Sequence, residues 1–238
     1  MIQRIAKHDR AIVGGALSVL VLLAWLYTIR ASVRMQFMGA EYMFAMWAVM
    51  MVAMMTPSAA PMVFAFSSLA RSRPGMEGGQ RTVLAFLLGY LALWTAFSIV
   101  ATVAHTFLVR AMLVSSMGVS TNRVLSGTLL ITAGVYQFSP WKIECLSKCR
   151  SPMGFLLTEW RDGVTGAFRM GLRHGLYCTG CCWLLMAALF VAGVMNLAWI
   201  AALTLVVLAE RTLPYGERVS NLLGVAAVLA GVWLLLRP

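Results

Sequence analysis

The sequence predicts an all-α protein, a polytopic bundle of transmembrane helices forming a single domain over residues 1–238. Three observations lead there. Hydrophobic residues make up 61% of the chain and charged residues only 11%, whereas soluble domains carry roughly a quarter of their residues as charges. The apolar residues fall in blocks that approach or exceed the ~20 residues a bilayer-spanning helix requires. The Lys and Arg residues behind the net charge of +11 lie between those blocks instead of on one basic face. Such charges anchor and orient membrane helices, which excludes a nucleic-acid-binding reading.

Seven apolar segments follow in order, at about 11–29, 42–70, 82–109, 122–140, 177–193, 196–212 and 219–236. The first follows Arg4, Lys7 and Arg10 and runs on to Tyr27 and Arg30. It is longer than the apolar core of a signal peptide, so it reads as a retained helix. The second contains Pro57 and Pro61. Each proline removes a donor and crowds the carbonyl four residues earlier, which predicts a kink or break there. The third and fourth are ordinary candidate spans. The fifth and sixth are divided at Gly193-Val194-Met195-Asn196, where Gly and Asn favour a turn. Residues 141–174 form the one substantial polar region, predicted as a loop carrying one or two short amphipathic helices.

Orientation follows from the positive-inside rule. With the N-terminus cytoplasmic, fourteen basic residues fall inside: Arg4, Lys7, Arg10, Arg71, Arg73, Arg81, Lys142, Lys148, Arg150, Arg161, Arg169, Arg173, Arg211 and Arg218. Five fall outside: Arg30, Arg34, Arg110, Arg123 and Arg237. The same topology brings the Cys-containing loop 141–174, the prolines, the start of the fifth segment and the end of the sixth to the cytoplasmic side.

Five cysteines gather there. Cys145 and Cys149 are spaced to share one helix face. Cys178-Thr-Gly-Cys181 has the two-residue spacing of metal knuckles and redox pairs, with Cys182 next to it. His174, four residues before Cys178, adds an imidazole. Thiolates select soft or borderline metals, copper(I), zinc or iron–sulfur. A buried Cys also serves simply as a small hydrophobe. Met43, Met46, Met50 and Met54 form one helical stripe, with Met51, Met55 and Met62 near its edge. Thioethers suit copper(I), though Met is also a flexible packing residue. Met50, Met54 and Met55 lie nearest the prolines. Glu210, at the end of the sixth segment, reads either as functional or as an interfacial carboxylate paired with Arg211 or another base. His105 reads as a satisfied interfacial histidine.

The stretches MWAVMMVAMMTPSAAPM, YQFSPWKIECLSKCRSP and GLRHGLYCTGCCWLLM, the last continuing to AERTLPYG, resemble an uncharacterised bacterial family of predicted metal-binding integral membrane proteins, a domain of unknown function. The resemblance covers most of the chain after the first segment. It implies a multi-pass protein of the bacterial inner membrane with a metal site at Cys145, Cys149, His174, Cys178, Cys181 and Cys182.

The expected function is binding of a soft transition metal, copper first and zinc second, for transport, delivery or metalloenzyme assembly. The lipid bilayer and a metal-delivery or membrane-complex partner are the expected partners; no oligomeric state follows from the sequence. Two other classes remain open. One is a membrane thiol–disulfide oxidoreductase cycling Cys178 and Cys181, and the other an accessory structural subunit. The sequence holds no phosphate-binding glycine loop, ATPase motif or hydrolase elbow, which argues against self-driven pumping.

Overall fold

The structure, a computed structural model, describes residues 2–34, 39–72 and 79–237. Arg73 lies outside the described residues, as do the side chains of residues 2–10. The helices are α1 (Ile2–Arg34), α2 (Ala40–Ser72), α3 (Gly79–Arg110), α4 (Arg123–Tyr136), α5 (Pro140–Arg150), α6 (Pro152–Glu159), α7 (Gly163–Ala187), the single turn α8 (Leu189–Ala192), α9 (Leu197–Thr212) and α10 (Gly216–Leu236). Among the described residues there is no strand, only an isolated bridge between Val114 and Ser120.

Each of the seven apolar segments falls in helical stretches, but among the described residues only five helices are long and apolar enough to cross a membrane. They cover Ala11–Val33, Ala40–Arg71, Gly79–Arg110, Gly163–Ala192 and Gly216–Leu236. The fourth and sixth segments form half-length helices, α4 of 14 residues and α9 of 16. At 1.5 Å per residue these reach only about 21 and 24 Å. Capping sets their starts. The Asn122 side chain accepts from the amides of Val124 and Leu125, and that of Asn196 from the amide of Trp199. The divide between fifth and sixth segments falls where the turn residues place it, with Gly193 at φ +102°.

A helix break and part of the predicted loop are corrected. First, α2 stays helical through Pro57 and Pro61 and does not break there. Hydroxyl groups bond its backbone beside the prolines: Tyr90 and Ser58 both donate to the Met55 carbonyl, at 3.0 and 2.9 Å. Second, the polar loop ends early. α5 and α6 are its two short helices, but α7 begins at Gly163, so residues 163–174 belong to the fifth helix. Glycine explains the difference. A Cβ at Gly171 would run into the Phe86 carbonyl, and one at Gly89 into the Phe168 carbonyl. The glycines that depress hydropathy here are what lets α7 lie against α3, as small residues do between membrane helices. Arg169 and Arg173 point outward from the same stretch.

α3 and α7 run parallel. Phe86 lies beside Gly171, Tyr90 beside Cys178 and His105 beside Phe190. α10 runs antiparallel to α4, with Gly224 on Gly134 and Gly231 on Gly127. α9 folds back along α7, with Trp199 bonded to the Ala188 carbonyl and Arg211 reaching Cys178. The bundle therefore has a proximal end, built from α6 and the starts of α3 and α7, and a distal end, built from the 111–122 loop and the 193–196 turn. The smaller core cluster, around Phe66, Phe86 and Phe155, fills the proximal end. The larger runs from the cysteines through the methionines of α2 to Phe190 and Met195. Outward faces are apolar, with Leu22, Val100, Phe107, Leu222 and Leu236 all exposed.

Candidate metal centre

α7 places Cys178, Cys181 and Cys182 on one face, because residues three and four apart are helix neighbours. All three are buried. The Cys181 and Cys182 thiols both donate to the Cys178 carbonyl at 3.1 Å. The cluster was expected at the start of an apolar helix. It lies instead about four turns in from Gly163, near the middle of α7 and level with Met55 and Ser58 of α2.

α5 delivers the second cysteine pair. Cys149 lies within hydrogen-bonding reach of Cys181. Cys145 sits over Gly180, where a Cβ would come within 2.9 Å of its sulfur. Tyr136, at the end of α4, donates to the Gly180 carbonyl at 2.6 Å. Burial, with Cys181 and Glu144 adding to it, pushes the Cys145 thiol up from its ordinary pKa, so Cys145 supplies a thiolate less readily than an unperturbed cysteine. All five cysteines are free thiols.

Arg211, from the last turn of α9, reaches in among the sulfurs. One terminal nitrogen donates to Ser58 Oγ at 2.6 Å and Cys178 Sγ at 2.9 Å. The other donates to the Cys178 carbonyl at 3.0 Å, Cys181 Sγ at 3.2 Å and Cys182 Sγ at 3.3 Å. Tyr90 Oη lies 3.1 Å from Cys178 Sγ. Among the described residues, no three His, Cys, Asp or Glu side chains are grouped so as to hold an ion together. The arrangement is a thiol cluster built around a fixed cation.

Glu210 turns away from this cluster. It pairs with Lys142 at 2.9 and 3.0 Å, so the base it meets is not its neighbour Arg211. Lys142 also bonds Gln137, which accepts from Ser220 at 3.0 Å. Both ions are 1% exposed. This buried pair joins α5 to α9, the two helices that carry Cys149 and Arg211.

His174 does not bond the sulfurs. Its ring packs among Phe86, Tyr90 and Phe155, and neither nitrogen has a hydrogen-bond partner. Met50, Met54 and Met55 are buried in the same core cluster as the α7 cysteines, together with Met46 and Met51. Pro57 and Pro61 lie on α2 next to Ser58. His105 is buried within the bundle, at 2% exposure.

Sequence reasoning missed Arg211, Lys142, Tyr90 and Ser58. Arg211 and Lys142 counted only as topological charges. The one signal was Arg211 adjoining Glu210 at the end of an apolar run.

No curated protein and no solved structure matches the chain. One family model does, over residues 44–234, with the description copper chaperone. The metal-related family expected from the cysteine and methionine stretches is thus described by a copper role and not as a domain of unknown function. The chain belongs to the PpoB2 copper chaperone family.

Proposed function

We propose that this protein is a membrane-embedded copper(I) handler whose α7 thiols capture the ion for delivery to a copper-requiring partner. The observation that carries this reading is Arg211 among three buried sulfurs. The thiolate is the metal-binding form of cysteine, and thiolates favour copper(I). A two-thiolate copper(I) complex bears one negative charge. In a low-dielectric interior that charge needs a fixed counter-charge, and the guanidinium supplies it. The same pair of thiolates around zinc(II) would be neutral and leave Arg211 uncompensated, so zinc ranks second.

Cys178 and Cys181 are the primary ligands, with Cys149 and Cys182 in reach for exchange. The buried methionines of α2 continue the soft ligand set away from the cysteines, and their thioethers allow stepwise transfer without complete ligand loss. Five long apolar helices support a membrane location, and the excess of basic residues on one side supports a cytoplasmic N-terminus.

The test is copper(I) titration of reduced, anaerobically purified full-length protein against a chromogenic competitor. Wild type binds tightly with a thiolate-to-copper absorption band, and Cys178→Ser/Cys181→Ser abolishes that band. A wild-type protein with no tight copper(I) site refutes the reading.

A further inference from the structure

The methionine column leads away from the cysteines to a place no functional assignment reaches. We infer that the distal end holds a second soft-metal site built on His105 and methionine thioethers, which takes a monovalent ion, copper(I), from the column. The inference rests on the copper reading above, yet its residues are separate from the cysteine centre.

His105 is 2% exposed, and neither ring nitrogen makes a well-formed hydrogen bond. The Ser116 backbone lies in reach of the ring and can serve only one nitrogen. Buried polar atoms are nearly always bonded, so each exception calls for a cause. The indole nitrogens of Trp47 and Trp94, both 1% exposed, are likewise unpartnered in the adjoining core. A metal-binding histidine has this very form: one nitrogen held by a backbone group, the other bare and available to an ion.

The surroundings choose the ion. The His105 ring meets Phe190 edge-on at 5.6 Å, and Phe190 meets Trp47 at 5.5 Å. Trp47 adjoins Met46, and both share a buried cluster with Phe190 and Met195. Val194, the residue before Met195, flanks Gly118 together with the His105 ring. The soft groups that share this end of the core are the His105 imidazole and the thioethers of Met46 and Met195, which are neutral and soft or borderline. Such a set suits copper(I) or silver(I). A divalent ion would leave two charges uncompensated in a buried site. Tyr90 touches Cys178, and His105 lies fifteen residues further along α3, about 22 Å away at 1.5 Å per residue. The α2 methionines fill that interval.

His174 also lacks hydrogen bonds, but three aromatic rings box it and it lies on the proximal side of the cysteines, away from the methionine column.

The test uses full-length protein in detergent with all five cysteines changed to serine, titrated with silver(I), a redox-inert stand-in for copper(I). It binds one equivalent, and adding His105→Leu or Met46→Leu weakens binding at least about tenfold. X-ray absorption of its copper(I)-loaded form reports imidazole and thioether ligands. No silver(I) binding, or binding that His105→Leu leaves unchanged, overturns the proposal. Where the five-serine chain fails to fold, wild type and His105→Leu are compared directly. The variant then binds one equivalent fewer while keeping the thiolate-to-copper band, and equal stoichiometry overturns the proposal. Failure of the cysteine reading registers separately, as absence of that band from wild type.

Discussion

The two ends of the methionine column hold polar groups in opposite ways. At the cysteine centre the buried charges are hydrogen-bonded. Lys142 holds Glu210 through both carboxylate oxygens, and Arg211 bonds Ser58 and three sulfurs through its terminal nitrogens. At the distal end the buried His105 ring and the Trp47 indole are neutral and make no well-formed side-chain hydrogen bond. A charged, bonded site is rigid and tolerates anionic ligands, as capture of a cation by thiolates requires. A neutral, unbonded site binds a cation more weakly and releases it more readily. On the proposed reading, one buried column would bind copper(I) tightly at its charged, thiol-bearing end and more loosely at its neutral end.

Substitutions at four positions test that contrast. Lys142→Met should have the largest effect. It leaves the Glu210 carboxylate buried and alone, at a cost of about 3–5 kcal/mol. Adding Glu210→Gln should restore most of that loss. Thermal unfolding in detergent, followed by circular dichroism, checks both; equal losses in the single and double variants would show that the pair is not what matters.

Arg211→Gln comes next. With its counter-charge gone, copper(I) affinity should fall about 10–100-fold, the usual size for groups that support metal ligands. Arg211→Lys should recover part of it, since the charge remains while the planar fork is lost. Competition titration decides, and an unchanged affinity in Arg211→Gln would remove the counter-ion role.

Tyr90→Phe is smaller. It deletes one hydrogen bond to the Met55 carbonyl, worth about 1 kcal/mol, and Ser58 still serves that carbonyl. A loss above about 3 kcal/mol would mean that Tyr90 does more than bond α3 to α2.

His105→Leu should have the least effect on the metal-free protein. It removes a ring with no well-formed hydrogen bond, in reach only of the Ser116 backbone, so stability should stay within about 1 kcal/mol of wild type or rise. A large loss would point to a structural bond at His105 and erase the contrast between the two ends.

Much of this architecture was legible from local pattern. Each apolar block forms a helix, and the Gly193–Asn196 turn divides the fifth from the sixth. The spacing of Cys178, Cys181 and Cys182 does put three sulfurs on one face. The errors came where a residue's meaning depends on its neighbour in another helix. Gly166, Gly171 and Gly175 lower hydropathy along residues 163–175, yet Gly171 marks close contact with α3. Pro57 and Pro61 leave α2 unbroken, with hydroxyls from Tyr90 and Ser58 bonding the backbone beside them. His105 lies near a helix end, and only the packing of Phe190 and the 111–122 loop shows that it is buried.

By itself, the sequence determined that the chain is helical, apolar and rich in soft ligands. Hydropathy and periodicity are sums over near neighbours, which any reader of the chain can take. Only the tertiary structure decided that Arg211 stands among the sulfurs and that Lys142 answers Glu210. Those pairings join residues 33 and 68 positions apart. In a low-dielectric core a charge is settled by whichever group lies within a few ångströms, and that distance is set by how α5 and α9 pack on α7.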